Sequence, residues 1–133
     1  MRRLFSSDLR YSIPRWTSDA YHAVRYALQR VHKGYDDRMV FDFHSQFADM
    51  AIRALTELKD CKHGYPASMA NIDEWHGVLE AIIRGFEGAK GLDEARNWGI
   101  KNSVLSKKKD ELDRRDFEEG MALFVRHFFN LWD

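Results

Sequence analysis

A chain of 133 residues with 44% hydrophobic and 14% aromatic side chains has enough apolar material for one globular domain, which excludes an intrinsically disordered chain. Its formal net charge is zero, which argues against the basic surface of proteins that track along DNA. No apolar run approaches the roughly 20 residues that a membrane-spanning helix needs.

Cysteine usage and the N-terminal residues predict a non-secreted protein of a reducing cytoplasm. Cys61 is the single cysteine, so an internal disulfide is excluded, and the first residues lack the apolar stretch of a signal peptide. The charge is unevenly spread, because residues 1–33 carry seven Lys or Arg and two Asp. This basic first third either meets phosphate or offsets the acidic remainder within the fold or across an oligomer contact.

An irregular arm over residues 1–16 is predicted to precede the first helix, because Pro14 breaks helical structure. Thr17 or Ser18 can cap that helix, and Gly34 is the residue type expected just after its end. The apolar stripe of this helix consists of Ala20, Val24, Ala27, Leu28 and Val31.

Two further helices follow in the middle of the chain. The second is predicted to begin near Asp42 and to stop around residues 62–64. The third has the clearest start, because Asn71 and Glu74 have the spacing of a capping box, N-x-x-E. Its end is predicted from three glycines, Gly85, Gly88 and Gly91.

The last part of the chain is predicted to hold a connecting segment over residues 88–106 and then a highly charged stretch that leads into a fourth helix. The apolar face of this helix consists of Phe117, Met121, Phe124, Val125, Phe128 and Trp132. The fold class is therefore mainly α, a small four-helix bundle-like single domain over residues 1–133. The residues assigned to its core are Trp75, Phe86, Phe124, Phe128 and Trp132.

Aromatic and basic side chains alternate in the first third of the chain and are the candidate binding site. The predicted ligand-binding residues are Trp16, Tyr21, His22, Arg25, Tyr26, Arg30 and Lys33. Arginine and lysine would meet phosphate, an aromatic ring would stack on a base and His22 would add a hydrogen bond. The same pattern is also typical of core or interface aromatic residues with polar tips, and of a nucleic-acid surface.

Catalytic and metal-binding signatures are absent from the sequence, with no HExxH, CxxC, G-x-S-x-G or Walker pattern. His76 and Glu80 could share a helical face but are typical of a solvated pair, and His44 and Asp49 would share a face only poorly. Carboxylates such as Asp113 are predicted to lie in a solvated run. We therefore expect a non-enzymatic protein with no metal and no cofactor, and a metal-dependent nucleotide hydrolase is the leading enzymatic alternative.

A set of short landmarks occurs in a fixed order between residues 30 and 133. They are Lys33-Gly34-Tyr35-Asp36-Asp37, Phe41-x-Phe43, His63-Gly64-Tyr65-Pro66, Trp75, Phe86-Glu87, Glu119-Gly120-x-x-Leu123-Phe124 and Leu131-Trp132-Asp133. In these landmarks the chain resembles a family of small, mostly uncharacterised helical proteins encoded by tailed bacteriophages. The resemblance implies a viral protein at work in the cytoplasm of an infected bacterium, and it brings no catalytic residues.

The function expected from these patterns is binding without turnover. The leading hypothesis is a phage protein that counters host defence by sequestering a small anionic, nucleotide-derived signal molecule. The alternatives are an inhibitor that binds a host protein directly and an accessory protein that binds nucleic acid. Broad apolar helical faces in a short chain also favour a homo-oligomer, and no membrane association is expected.

Overall fold

The computed structural model describes residues 15–61, 64–98 and 104–131, and every described element is helical. The helices are α1 (Arg15–Lys33), α2 (Asp37–Phe41), α3 (Phe43–Cys61), α4 (Ile72–Trp98) and α5 (Val104–His127), and a 3₁₀ turn follows at Phe128–Asn130. The predicted fold class, mainly α and bundle-like, is confirmed. Residues 1–14 of the predicted arm lie outside the described residues. Residues 15 and 16 already belong to α1, so the predicted arm is two residues too long, and Thr17 and Ser18 lie inside the helix rather than at its cap. By its internal contacts the chain divides into two compact units, Met1–Asp42 and Phe43–Asp133.

In the first unit, α1 ends where the glycine pattern predicts. Gly34 adopts a φ of 80°, and its amide donates a hydrogen bond to the carbonyl of Arg30 at 2.9 Å. This left-handed conformation costs glycine little, because glycine has no Cβ to meet the neighbouring carbonyl. The prediction that Gly34 terminates the first helix is confirmed.

The short helix α2 is attached to α1 by a buried carboxylate. Asp36 is 3% exposed and caps α2 by accepting a hydrogen bond from the Arg38 amide at 3.0 Å. Its Oδ2 atom also accepts from the guanidinium groups of Arg38 at 2.7 Å and Arg30 at 2.6 Å. These bonds hold the pKa of Asp36 well below its ordinary value of 3.8. The stabilisation is therefore present above about pH 3.8 and is lost as the pH falls below it.

The apolar stripe of α1 is present as predicted, but it is exposed. Val24, Leu28 and Val31 keep 60%, 64% and 88% of their surface accessible. The polar side of α1 makes the contacts with α2, through side chains such as Gln29, whose Oε1 accepts from the Asp37 amide at 3.1 Å. Because α2 has only five residues and uses polar contacts, it leaves the apolar side of α1 open.

The second unit has a conventional hydrophobic core between α3, α4 and α5. Leu79 and Ile82 of α4 are completely buried. The buried cluster consists of Ala48, Ala51, Leu55, Trp75, Leu79, Ile82 and Phe86, with Met121, Leu123 and Phe124 of α5 packed against it. The prediction of Trp75 and Phe86 as core residues is confirmed, and Phe124 packs against the core as a half-buried residue.

The C-terminal end of α5 differs from the prediction. Phe128 is 54% exposed and Val125 is 73% exposed, so the assignment of Phe128 to the core was wrong. The α-helix ends at His127 and the chain continues as a 3₁₀ turn, whose tighter winding turns the following side chains away from the face that α-helical spacing predicts. Trp132 lies outside the described residues.

The start of α4 is stabilised as the capping pattern predicts. The Glu74 amide donates to Asn71 Oδ1 at 2.9 Å, so Asn71 satisfies one of the free amides of the first turn. The Glu74 carboxylate in turn accepts from the amide of Ala70 at 2.7 Å, one residue earlier than in a standard capping box. The two bonds together fix where α4 begins.

The three glycines predicted to end the third helix instead lie inside α4, which has 27 residues and continues to Trp98. A Cβ atom on Gly85 would lie 2.7 Å from the Cα of Gly120 on α5. The glycines therefore permit a close approach of the two helix backbones. The predicted connecting segment 88–106 is also wrong over 88–98, which belong to α4, and over 104–106, which begin α5.

Candidate functional site

The two arginines of the predicted site on α1 already have partners within their own unit. Arg25 donates to Asp37 Oδ2 at 2.8 Å, and Arg30 donates to Asp36 Oδ2 at 2.6 Å. An anionic ligand at this face would have to compete with both carboxylates. The positive charge of the two arginines is therefore only partly available to a ligand.

The aromatic members of the predicted site pack on their neighbours. The ring of His22 stacks on Tyr26 with centroids 5.9 Å apart, and it meets Tyr21 edge-on at 5.5 Å. The guanidinium carbon of Arg38 lies 4.5 Å from the centroid of the Tyr26 ring. This cation–π contact gives Tyr26 a structural role in the first unit.

Three of the seven predicted residues line one shallow concavity on α1. Its volume is about 400 Å³, and its lining consists of Tyr21, Val24, Arg25, Leu28, Gln29, His32 and Lys33. Trp16 is 71% exposed and does not line it. The structure thus gathers Tyr21, Arg25 and Lys33 and leaves the other predicted residues elsewhere on α1.

A second cavity lies in the Phe43–Asp133 unit, between α3, α4 and α5, and we call it the aromatic cavity. Its volume is about 470 Å³, within the range of small-ligand pockets. Its apolar lining consists of Phe43, Phe47, Ala48, Phe86, Ala89, Leu92, Phe117 and Met121. Its polar lining consists of His44, Ser45, Lys90, Asp93, Glu94 and Arg96.

Stacked phenylalanine rings form one wall of the aromatic cavity. Phe43 and Phe47 stack with centroids 5.6 Å apart and an interplanar angle of 15°, and Phe47 meets the buried ring of Phe86 edge-on at 5.8 Å. Phe43 is 61% exposed, whereas Phe86 is 4% exposed. A flat ligand ring can therefore add to a row of rings that is anchored in the core.

The rim of the aromatic cavity carries groups of both charges. His44 Nε2 lies 3.2 Å from Asp93 Oδ1, and Lys90 forms an ion pair with Asp49 of α3. Arg96 makes no ion pair within the part of the chain that the structure describes. The Arg96 guanidinium is thus the cation best placed to meet an anionic group of a ligand.

Sequence reasoning missed the aromatic cavity because four of its six polar lining residues lie in the segment predicted to be a connection. Lys90, Asp93 and Arg96 all come after Gly88, where that segment was predicted to begin. A usable signal was present, since apolar residues recur at helical spacing through Phe86, Ala89 and Leu92.

A charged groove adjoins the aromatic cavity, with Lys90 and Glu94 lining both. Its volume is about 590 Å³. Asp113 of α5 lies in this groove against the backbone of Gly91, so the prediction of a solvated Asp113 was wrong. The buried Oδ2 atom of Asp113 has no hydrogen-bond partner among the described residues, and burial raises the pKa of this carboxyl group.

Replacing Asp113 by asparagine is expected to stabilise the protein by about 1 kcal/mol at pH 7, because the variant removes a partly desolvated charge. A raised pKa in the folded state means that ionisation costs stability as the pH rises above 3.8. The advantage of Asp113→Asn should therefore disappear near pH 3. Urea unfolding at both pH values measures it, and a variant less stable at pH 7 would contradict the assignment.

The described residues hold neither a metal-binding cluster nor a helix that could span a membrane. Within residues 15–61, 64–98 and 104–131, no three or more His, Cys, Asp or Glu side chains are grouped to hold a metal ion. Glu80 instead pairs with Lys59 across α3 and α4 at 3.3 Å. Over the same residues, no helix combines the length and the apolar character needed to cross a bilayer.

Neither a protein-family model, nor a curated protein, nor a solved structure matches this chain. The resemblance to a family of phage proteins therefore stays a prediction. Several of its landmarks have structural roles, such as the buried cap Asp36, the buried Trp75 and the close helix contact at Gly120. Phe43 and Phe86 are landmark residues that line the aromatic cavity.

Proposed function

We propose that this protein binds a small, ring-containing ligand in the aromatic cavity without converting it. In its most concrete form, the ligand is a nucleotide-derived signal molecule of the host, which a phage protein sequesters in the infected cell. The observation that supports this proposal is the stacked pair Phe43 and Phe47 in the same cavity as Arg96, whose guanidinium makes no ion pair with any described residue. A base needs a flat apolar surface, and a phosphate needs a cation close by.

The aromatic cavity is a better candidate than the residues predicted on α1. Arg25 and Arg30 of α1 are held by carboxylates, and the concavity beside them is bounded by a single helix. Three helices enclose the aromatic cavity, so a ligand there loses contact with more water. The α1 residues stay a predicted site, which the same experiment can test.

Replacing Phe43 by alanine is expected to weaken ligand binding by about tenfold or more, because stacking on an aromatic ring contributes about 1–3 kcal/mol per base. The measurement is the rise in melting temperature caused by each nucleotide of a panel, because a ligand that binds only the folded state stabilises it. Phe129→Ala is the matched control, since Phe129 is 87% exposed and lies outside the cavity lining.

The two candidate sites make opposite predictions for this assay. If the aromatic cavity binds the ligand, Phe43→Ala loses the thermal shift and Arg25→Ala keeps it. The reverse result would place the ligand on α1. Native mass spectrometry of protein from infected cells would identify the ligand itself and the number of chains in the assembly, and a ligand-free mass together with no thermal shift would exclude sequestration.

A second candidate function is inhibition of a host protein through α1, and the exposed apolar stripe favours it. Val24, Leu28 and Val31 form the apolar face of an amphipathic helix, the kind of face that inserts into a groove on a partner. His32 and Lys33 beside this face favour a partner whose groove has an acidic rim. Leu28→Glu should abolish recovery of a stoichiometric host protein in a pull-down. Leu105→Glu, on an exposed leucine of α5, is the control that should retain it.

A further inference from the structure

We infer that the aromatic cavity selects a ring that carries one negative charge, of the class of cyclic mononucleotides, over linear nucleoside triphosphates. This inference rests on the proposed function, because it specifies the charge of the ligand bound at the same site. The observation that supports this inference is the arrangement of charged side chains around the rim of the aromatic cavity.

Two of the three basic groups at the rim are already compensated. The Lys90 ammonium is paired with Asp49, and His44 Nε2 lies 3.2 Å from Asp93 Oδ1. Only Arg96 is without an ion pair within the described residues. Arg96 is therefore the basic rim group whose charge no described carboxylate compensates by an ion pair.

Carboxylates at the same rim oppose any further negative charge. Asp93 and Glu94 both line the cavity within a few residues of Arg96. A phosphodiester with a single charge can contact Arg96 and keep its distance from both acids. A triphosphate carries several charges on an extended chain, and it would bring some of them next to a carboxylate, where like charges repel.

The dimensions of the aromatic cavity agree with a compact ligand. Its volume of about 470 Å³ lies in the range of small-ligand pockets, so one base with a cyclised sugar phosphate has room there. Phe43 begins α3 and Arg96 lies near the end of α4, so a stacking ring and a cation without an ion pair among the described residues line the same cavity.

The test is isothermal titration calorimetry of the full chain with four probes that share one base: the nucleoside, the 3′,5′-cyclic monophosphate, the linear monophosphate and the triphosphate. The cyclic monophosphate is expected to bind about tenfold more tightly than the nucleoside and the triphosphate. Arg96→Gln should reduce its affinity to that of the nucleoside. Arg115→Gln, on an exposed arginine of α5 outside the cavity, should leave it unchanged.

Removing a rim carboxylate gives the sharpest readout. Glu94→Gln should raise the affinity for the triphosphate severalfold and should change that for the nucleoside little. Affinity that increases steadily with phosphate number in the unmodified protein would overturn the charge selection while keeping the proposed function. Absence of binding by all four probes, repeated with each of the common bases, would overturn both, since no nucleotide of these types would then occupy the cavity.

Discussion

Replacing Gly85 by alanine is expected to lower the free energy of unfolding by about 3 kcal/mol, the upper part of the range for overpacked contacts. The added methyl group would lie 2.7 Å from the Cα of Gly120 and 3.0 Å from the carbonyl oxygen of Asp116. Both neighbours are backbone atoms, so no side chain can rotate to make room. The helices α4 and α5 would have to separate, and the core beside them would lose its packing.

Gly77 provides the matched control on the same helix. A Cβ atom there meets nothing within 4 Å, and the position is exposed. Gly77→Ala should therefore stabilise the protein by about 0.5–1 kcal/mol through helix propensity alone. Urea unfolding of both variants gives the comparison. Equal effects at Gly85 and Gly77 would show that α4 and α5 do not approach at Gly85 and Gly120 as described.

Replacing Phe86 by alanine is expected to cost about 3–5 kcal/mol of stability, as for other large residues truncated in a core. Phe86 is 4% exposed, and its ring meets Phe47 at 5.8 Å and Phe124 at 5.5 Å, both edge-on. The substitution therefore removes the ring that joins α3, α4 and α5. It also enlarges the aromatic cavity, whose inner wall Phe86 forms.

Phe129→Ala is the control for the loss of stability. Phe129 is 87% exposed, so removing its ring should change the free energy of unfolding by less than about 0.5 kcal/mol. Chemical unfolding monitored by circular dichroism measures both variants. A milder change, Phe86→Leu, keeps a folded protein for ligand titration and should weaken binding by altering the wall. A loss below about 1 kcal/mol for Phe86→Ala would contradict the central place of this ring.

Much of the fold could be predicted from local patterns. The cap at Asn71, the terminator Gly34 and the core residues Trp75 and Phe86 each depend on interactions within a few residues or on apolar spacing. These signals are local, so one sequence is enough to read them. The end of α4 could not be predicted this way, because a glycine that ends a helix and a glycine that admits a neighbouring helix are the same residue in the sequence.

The candidate site was harder to predict. Basic and aromatic residues mark α1 in the sequence, but composition does not reveal that Arg25 and Arg30 are engaged by Asp37 and Asp36. The aromatic cavity joins Phe43 to residues that follow more than forty positions later. Its existence depends on how three helices pack, and no short motif in the sequence records that packing.

The sequence by itself determined the helical class, the starts of α3 and α4 and the apolar residues available for a core, because backbone capping and apolar periodicity act over one or two turns. The tertiary structure decided which glycines bring α4 and α5 together, that the apolar stripe of α1 is left open within its unit, and where an aromatic cavity lies. These outcomes depend on contacts between residues distant in the chain, and their free energy arises only when the helices are packed.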